Sequence, residues 1–280
     1  MSRSPRPLRD RLALHHWTLD HLPLGDFLRV ARDTGWNAVE LRRSSFTKCY
    51  DAGMSNAQVL ALIRASGVKV AVIGTEYGLY FAKGEERKRL LEVLEETCAN
   101  AAALGCDMVM CAEGPRKGTL REVADNLRAG GDVCKRHNVR LAFEFSSTAA
   151  IMNSLAVARE VQALINHPSV GLLLDAYHLE RSGSGGRSFA DVPAHEIFAF
   201  QFSDVPPTPL VPGGPPNDRL APGKGVVRWR EVFQLLDEKG FQDFLSYEAP
   251  NPANASHPPE KVAREGVDAT RALLAQAGDL

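Results

Sequence analysis

Short apolar runs alternate along the chain with longer stretches whose apolar residues recur every three to four positions. The runs predict strands at 12–17, 37–42, 69–75, 107–112, 140–145, 170–175, 197–203 and 244–249. The stretches between them predict helices at 25–34, 55–66, 85–104, 119–137, 150–165, 228–239 and 258–277. Strands that alternate with helices build a parallel sheet. Gly67, Gly105 and Gly240 each follow a helical stretch and precede a strand, where glycine takes the left-handed helix-ending position most easily. Eight such units over about 250 residues predict an α/β fold, a single (β/α)8 barrel spanning 1–280 with its core at about 10–275. An open doubly wound sheet is the alternative. It lacks the glycine-rich phosphate turn expected after its first strand, and SGSGG at 182–186 has no following Lys-Ser or Lys-Thr, so it reads as a flexible loop.

Four acceptor side chains stand near the ends of successive strands: Glu144 in LAFEF, Asp175 in GLLLDAYH, Gln201 in IFAFQFSD and Glu248 in FLSYEAP. Side chains alternate faces along a strand. Ala142 therefore shares a face with Glu144, Ala199 with Gln201 and Ser246 with Glu248, while Phe143, Phe145, Phe198, Phe200, Leu245 and Tyr247 take the opposite faces. Small residues inward and bulky ones outward is a barrel arrangement, and it turns the four acceptors toward the carboxyl-end mouth where barrel enzymes keep their active sites. Carboxylates at the ends of buried strands are costly unless neutralised, and three of them with an amide are reconciled most simply by one divalent cation. An all-oxygen set favours Mg²⁺ or Mn²⁺.

The first half adds His15 and His16 after the first strand, Glu40 in AVEL, Glu76 after VIGT and Glu113 after VMCA. These are candidates to line a substrate pocket; the plainer reading is loop residues, or partners of Arg42, Arg43 or Arg116. Trp17 and Phe46 are candidates for an apolar wall, with core packing as the alternative. The longest irregular segment, 204–227, holds seven prolines between Pro206 and Pro222 and predicts a lid over the mouth.

Composition narrows the classes. The chain has 280 residues, with 33 basic against 34 acidic residues, which removes the electrostatic footprint of a nucleic-acid binder. No run approaches the roughly 20 apolar residues of a membrane span. The start, MSRSPRPLRDRLALHHW, lacks a signal-peptide pattern, and the expected location is cytoplasmic. The five cysteines form no CxxC pair and read as reduced structural thiols.

The order of Glu on strand five, DxxH at strand six, QxSD at strand seven, RLxPGxG in the next loop and Glu ending strand eight resembles the xylose-isomerase-like TIM-barrel superfamily, across roughly 10–275. That group includes sugar and sugar-phosphate isomerases and epimerases, inosose and 3-dehydroshikimate dehydratases, and an AP endonuclease type. The resemblance implies metal ligation by Glu144, Asp175, Gln201 and Glu248, with Glu144 and Glu248 also the acid–base pair. It implies substrate contact by His178 and by Arg219 of NDRLAPGKG. Position 201 is commonly His in the epimerases, whereas some dehydratases carry Gln; Lys224 stands where PGEG is more usual and is a candidate for an anionic substrate group. Glu40 and His15 complete the expected substrate-binding set. The expected reaction is isomerisation or epimerisation of a polyhydroxy-carbonyl compound, begun by removing a proton next to the carbonyl. Dehydration is the alternative, and a non-catalytic sugar-binding barrel is more distant. A homodimer or homotetramer is the assembly expected of such a barrel.

Overall fold

Parallel strands covered on both faces are apolar almost throughout, and the eight runs of this chain close into one sheet. The computed structural model describes residues 6–211 and 213–278; Pro212 of the proline-rich segment lies outside them, as do residues 1–5 and 279–280. The strands are β1 (Leu12–His15), β2 (Ala38–Leu41), β3 (Val70–Gly74), β4 (Met108–Cys111), β5 (Arg140–Glu144), β6 (Val170–Asp175), β7 (Ile197–Phe202) and β8 (Leu245–Tyr247). They pair in chain order, all parallel, and β1 pairs with β8 to complete a closed (β/α)8 barrel. All eight predicted strands are present; β6 matches its apolar run and the other seven are somewhat shorter.

The helices are α1 (Leu24–Asp33), α2 (Arg43–Asp51), α3 (Asn56–Ala65), α4 (Gly84–Ala103), α5 (Leu120–Arg136), α6 (Leu155–Ile165), α7 (Ala176–Arg181), α8 (Trp229–Glu238) and α9 (Pro259–Ala277). Side chains of Ser55, Thr119 and Ser154 cap the first turns of α3, α5 and α6. Gly67, Gly105 and Gly240 take positive φ of 70°, 69° and 64°, as their helix-ending positions require. Two helices were not predicted. The α2 segment RRSSFTKCYD carries too few apolar residues to show a stripe, and α7 begins directly on the strand-end Asp175, whose carboxylate caps it. The start of α6 moves from 150 to Leu155 because Ser154 caps there.

Outward residues pack the sheet on its helices. Phe200 meets Phe189 and Phe241, and Phe202 meets Trp229 and Tyr247, at ring separations of 5.6–6.5 Å. Phe198 departs from the predicted alternation. The β6–β7 register shifts between Leu172 and Leu173, leaving Phe198 as the extra residue. Its ring fills the space over Gly171, where a Cβ would come within 2.5 Å, and the Arg140 guanidinium lies 5.4 Å from the ring centre. Arg140 also bonds Asp107 and Asp243, so charged pairs and a ring close the barrel's amino end.

The segment after β7 is tied down at both ends. Buried Asp204 accepts hydrogen bonds from the backbone of Val205, Val227 and Gly223 and from Trp229 Nε1, at 2.7–3.0 Å. Gly225 passes so close to Val205 that a Cβ would meet its carbonyl oxygen at 2.1 Å. Farther along, Asp218 is held by Tyr177 Oη at 2.6 Å and by Arg181 Nη2 at 2.5 Å. The segment is thus a strap that carries Arg219 inward rather than a freely hinged lid.

Candidate active site

Two groups of side chains face each other across the barrel mouth. The first belongs to β1, β2, β7 and β8. His15 Nδ1 accepts the backbone N–H of Trp17 at 3.0 Å, which leaves the ring proton on Nε2. Nε2 lies 3.2 Å from Glu248 Oε1 and 3.5 Å from Glu40 Oε1. Gln201 Nε2 donates to Glu40 Oε1 at 2.8 Å. The Thr18 hydroxyl donates to the carbonyl of Tyr247 and accepts from the backbone N–H of Ala249, pinning the chain on either side of Glu248.

The second group belongs to β5 and β6. The Tyr80 hydroxyl accepts the backbone N–H of Glu144 at 3.0 Å and lies 2.8 Å from its carbonyl oxygen, holding this second glutamate by its main chain. Asp175 Oδ1 accepts from the backbone of Tyr177. His178 Nδ1 accepts the backbone N–H of Ser147 at 3.2 Å, and Nε2 lies 3.3 Å from Arg219 Nη2, so a fixed donor faces each ring nitrogen. The same Nε2 lies 3.8 Å from both Glu144 Oε1 and Asp175 Oδ2, too far for a direct hydrogen bond. Arg219 bridges the two groups: Nη1 is 2.7 Å from Asp175 Oδ2 and 3.0 Å from Glu248 Oε2, and its guanidinium stacks 4.3 Å from the Tyr177 ring centre.

All these groups are buried, and four carboxylates face one guanidinium. Burial, with Glu248 and Asp175 adding to it, holds the Glu144 carboxyl well above the usual carboxylate range. Burial pushes Glu248 up to about 7 against the opposing charge of Arg219, and Glu40 up to about 8. Burial likewise lowers His178 to about 3 and holds His15 well below its ordinary value, so both imidazoles are neutral. For Arg219 burial alone would lower the pKa, but Asp175, Glu248 and Glu144 more than reverse it.

Two oxygens identify what the ring lacks. Glu144 Oε1 and Gln201 Oε1 are buried with no hydrogen-bond partner, and a buried acceptor left without a donor is costly. Atoms of Glu144, Asp175 and His178 also converge within 4.8 Å, the spacing of a metal-binding cluster.

A model of the xylose isomerase-like TIM barrel matches residues 28–273. The chain belongs to that family. Within it, the chain is 23% identical over 274 residues to an inosose isomerase of Bacillus velezensis, covering 92% of this chain and 95% of that protein. It is 22% identical over 255 residues to a 3-dehydroshikimate dehydratase of Pseudomonas putida, covering 90% of this chain but only 39% of that protein's length. Among solved structures, the IOLI protein with a bound zinc atom superposes with a TM-score of 0.85 at 20% identity, covering 96% of this chain and all of that one. A 3-keto-D-glucoside 4-epimerase of E. coli superposes with a TM-score of 0.74 at 17% identity, covering 94% and 99%.

For this family member the structure brings Glu144, Asp175, Gln201, Glu248, His178, Arg219, His15 and Glu40 together. It does not bring Lys224, whose ammonium pairs with Glu265 of α9 on the exposed outer surface. Glu40 joins the ring, yet its carboxylate is engaged by Gln201. Glu76 forms a two-pronged pair with Arg89, and Glu113 accepts from the backbone of Met152. His16 bonds Ser45 and stacks on Phe27, and Phe46 is core. Trp17 does reach the mouth, between Arg42 and Arg219.

Sequence reasoning missed Thr18 and Tyr80, whose hydroxyls hold the chain at Glu248 and Glu144, and also Tyr77; Asp204 stood in the QxSD pattern without a role. Asp204 of QFSD organises the strap. Tyr77 borders a cavity of about 270 Å³ at the mouth, shared with Arg42 and Thr75. The isolated Tyr and Thr residues gave no spacing signal. The five cysteines are free and buried, with the sulfurs of Cys98 and Cys134 3.5 Å apart.

Proposed function

We propose that this chain is a divalent-metal-dependent isomerase or epimerase of a polyhydroxy-carbonyl compound. The observation that carries the reading is the pair of unpartnered buried oxygens, Glu144 Oε1 and Gln201 Oε1, within a ring that also holds Asp175 and Glu248. Those four residues fit a cation, and their all-oxygen set favours Mg²⁺ or Mn²⁺. A bound cation supplies Lewis-acid polarisation of the substrate carbonyl and lowers the pKa values of the carboxylates around it.

The protein's own groups do the rest. Glu144, whose Oε1 is uncommitted, removes the proton next to the carbonyl. Glu248 is held by the His15 Nε2–H and the Arg219 guanidinium and returns the proton. Return to the neighbouring carbon isomerises the substrate; return to the same carbon from the opposite face epimerises it. The Arg219 guanidinium, with His178 Nε2 beside it at 3.3 Å, is the donor for substrate oxygens and for negative charge developing on them. The relative matched over almost its whole length is an isomerase, which supports this outcome over others.

Loss of a β-hydroxyl after the same first step is the second reading. Gln201 and the match to the 3-dehydroshikimate dehydratase favour it. Proton NMR in D₂O with ketoses, inososes and 3-dehydroshikimate separates the two. Deuterium entry with a rearranged or epimerised skeleton is expected; a new vinyl proton overturns the isomerase reading in favour of the dehydratase, and no exchange with any compound overturns both.

A further inference from the structure

We infer that Glu40 is a positioning residue that keeps the amide oxygen of Gln201 turned into the site, an inference that rests on the metal-dependent reading above. A primary amide has two ends of similar size and opposite character. One accepts and can bind a cation; the other donates and repels it. Rotation of the amide by half a turn exchanges the ends, so a glutamine is a dependable ligand only where something selects the orientation.

Glu40 supplies that selection. Gln201 Nε2 donates to Glu40 Oε1 at 2.8 Å, with each residue only 1% exposed. In the reversed orientation the amide oxygen would face the carboxylate oxygen, setting two acceptors against each other in a buried site. The orientation with Oε1 turned away is thereby selected, and that Oε1 is one of the buried oxygens without a partner. The same Glu40 Oε1 lies 3.5 Å from His15 Nε2, which also reaches Glu248 Oε1 at 3.2 Å. One carboxylate on β2 thus sets the aim of an amide on β7 and shares a histidine with the glutamate after β8. Glu40 would act through Gln201 and would not touch substrate.

The test is Mn²⁺ affinity of the full chain, read by electron paramagnetic resonance of the free ion, with circular dichroism confirming the fold of each variant. Glu40→Asp keeps the charge but withdraws the acceptor by one methylene. It is expected to weaken Mn²⁺ binding by about 10- to 100-fold, while Glu40→Gln, which removes charge but keeps an acceptor oxygen, stays within about threefold of wild type. In a Gln201→Leu background, neither Glu40→Asp nor Glu40→Gln should weaken binding further, because the group they position is gone. Wild-type affinity in Glu40→Asp overturns the inference, as does a loss in Glu40→Gln equal to that in Glu40→Asp, or effects that add to Gln201→Leu. If Glu40→Asp does not fold, a loss of tenfold or more in Glu40→Gln overturns it, and retained affinity supports it. A wild-type chain that binds no Mn²⁺ at millimolar concentration overturns the metal-dependent reading and this inference together, whereas a binding wild type with indifferent Glu40 variants removes only the inference.

Discussion

The two sides of the mouth are built to the same plan and finished differently. On each, a strand-end glutamate is steadied through its main chain by a hydroxyl, Thr18 beside Glu248 and Tyr80 at Glu144. On each, a neutral histidine accepts a backbone N–H on Nδ1 and turns Nε2 toward a pair of carboxylates. On the β1–β2–β7–β8 side the contacts are short, with His15 at 3.2 Å from Glu248 and Glu40 bonded to Gln201, and Gln201 Oε1 and Glu40 Oε2 are the atoms left without a partner. On the β5–β6 side the contacts stand open: His178 is 3.8 Å from both carboxylates and Glu144 Oε1 has no partner. A network of short contacts is the more rigid, whereas a looser one gains hydrogen bonds when a ligand arrives. The first side is the support and the second is where substrate completes the site.

The largest expected effect falls on both sides equally. Glu144→Gln and Glu248→Gln should each lower turnover by about 10³-fold, in line with loss of a general acid or base. Steady-state kinetics on the substrate identified by NMR decides this, and near wild-type kcat in either variant removes the acid–base pair. The next separates the sides. His178→Ala should raise KM by about tenfold, the worth of one lost substrate hydrogen bond, with little change in melting temperature. His15→Ala should instead lower the melting temperature and kcat, since it removes the donor that Glu248 and Glu40 share. Equal profiles for the two histidine variants would remove the distinction between support and open side.

A third prediction concerns pH in the metal-free protein. Glu40 and Glu248 have raised pKa values when folded, so folding binds extra protons and their contribution to stability is lost as pH rises through about 7 to 8; Glu144 is raised in the same direction. His15, His16 and His178 have lowered values and act oppositely, but only as pH falls below their ordinary value of about 6.5. Above that value only the carboxylates operate. The melting temperature should fall by about 3–10 °C between pH 6.5 and 8, and saturating Mn²⁺ should remove the slope. A flat profile in metal-free protein would show that the ring is already neutralised. The smallest expected effect is that of Lys224→Ala, which should leave kcat/KM unchanged because its ammonium pairs with Glu265 outside the mouth.

The sequence by itself determined the barrel and most of the ring. Apolar runs of strand length separated by helical stripes leave few ways to cover a parallel sheet, and alternation along β5, β7 and β8 turned Glu144, Gln201 and Glu248 to one face. Local rules also located the helix-ending glycines and the irregular strap. What they could not reach depends on contacts between residues far apart in the chain. The Glu40–Gln201 bond spans 161 positions and the Thr18 contacts with β8 span about 230. Phe198 left its expected face because of a register shift that belongs to the β6–β7 pair, not to either strand alone. Lys224 and Arg219 are five residues apart on one strap, yet one lies outside against Glu265 and the other is buried between Asp175 and Glu248. Periodicity records which face a residue takes. Which partner it meets, and so whether a charge serves the site or the surface, was decided only when the barrel closed and its loops packed.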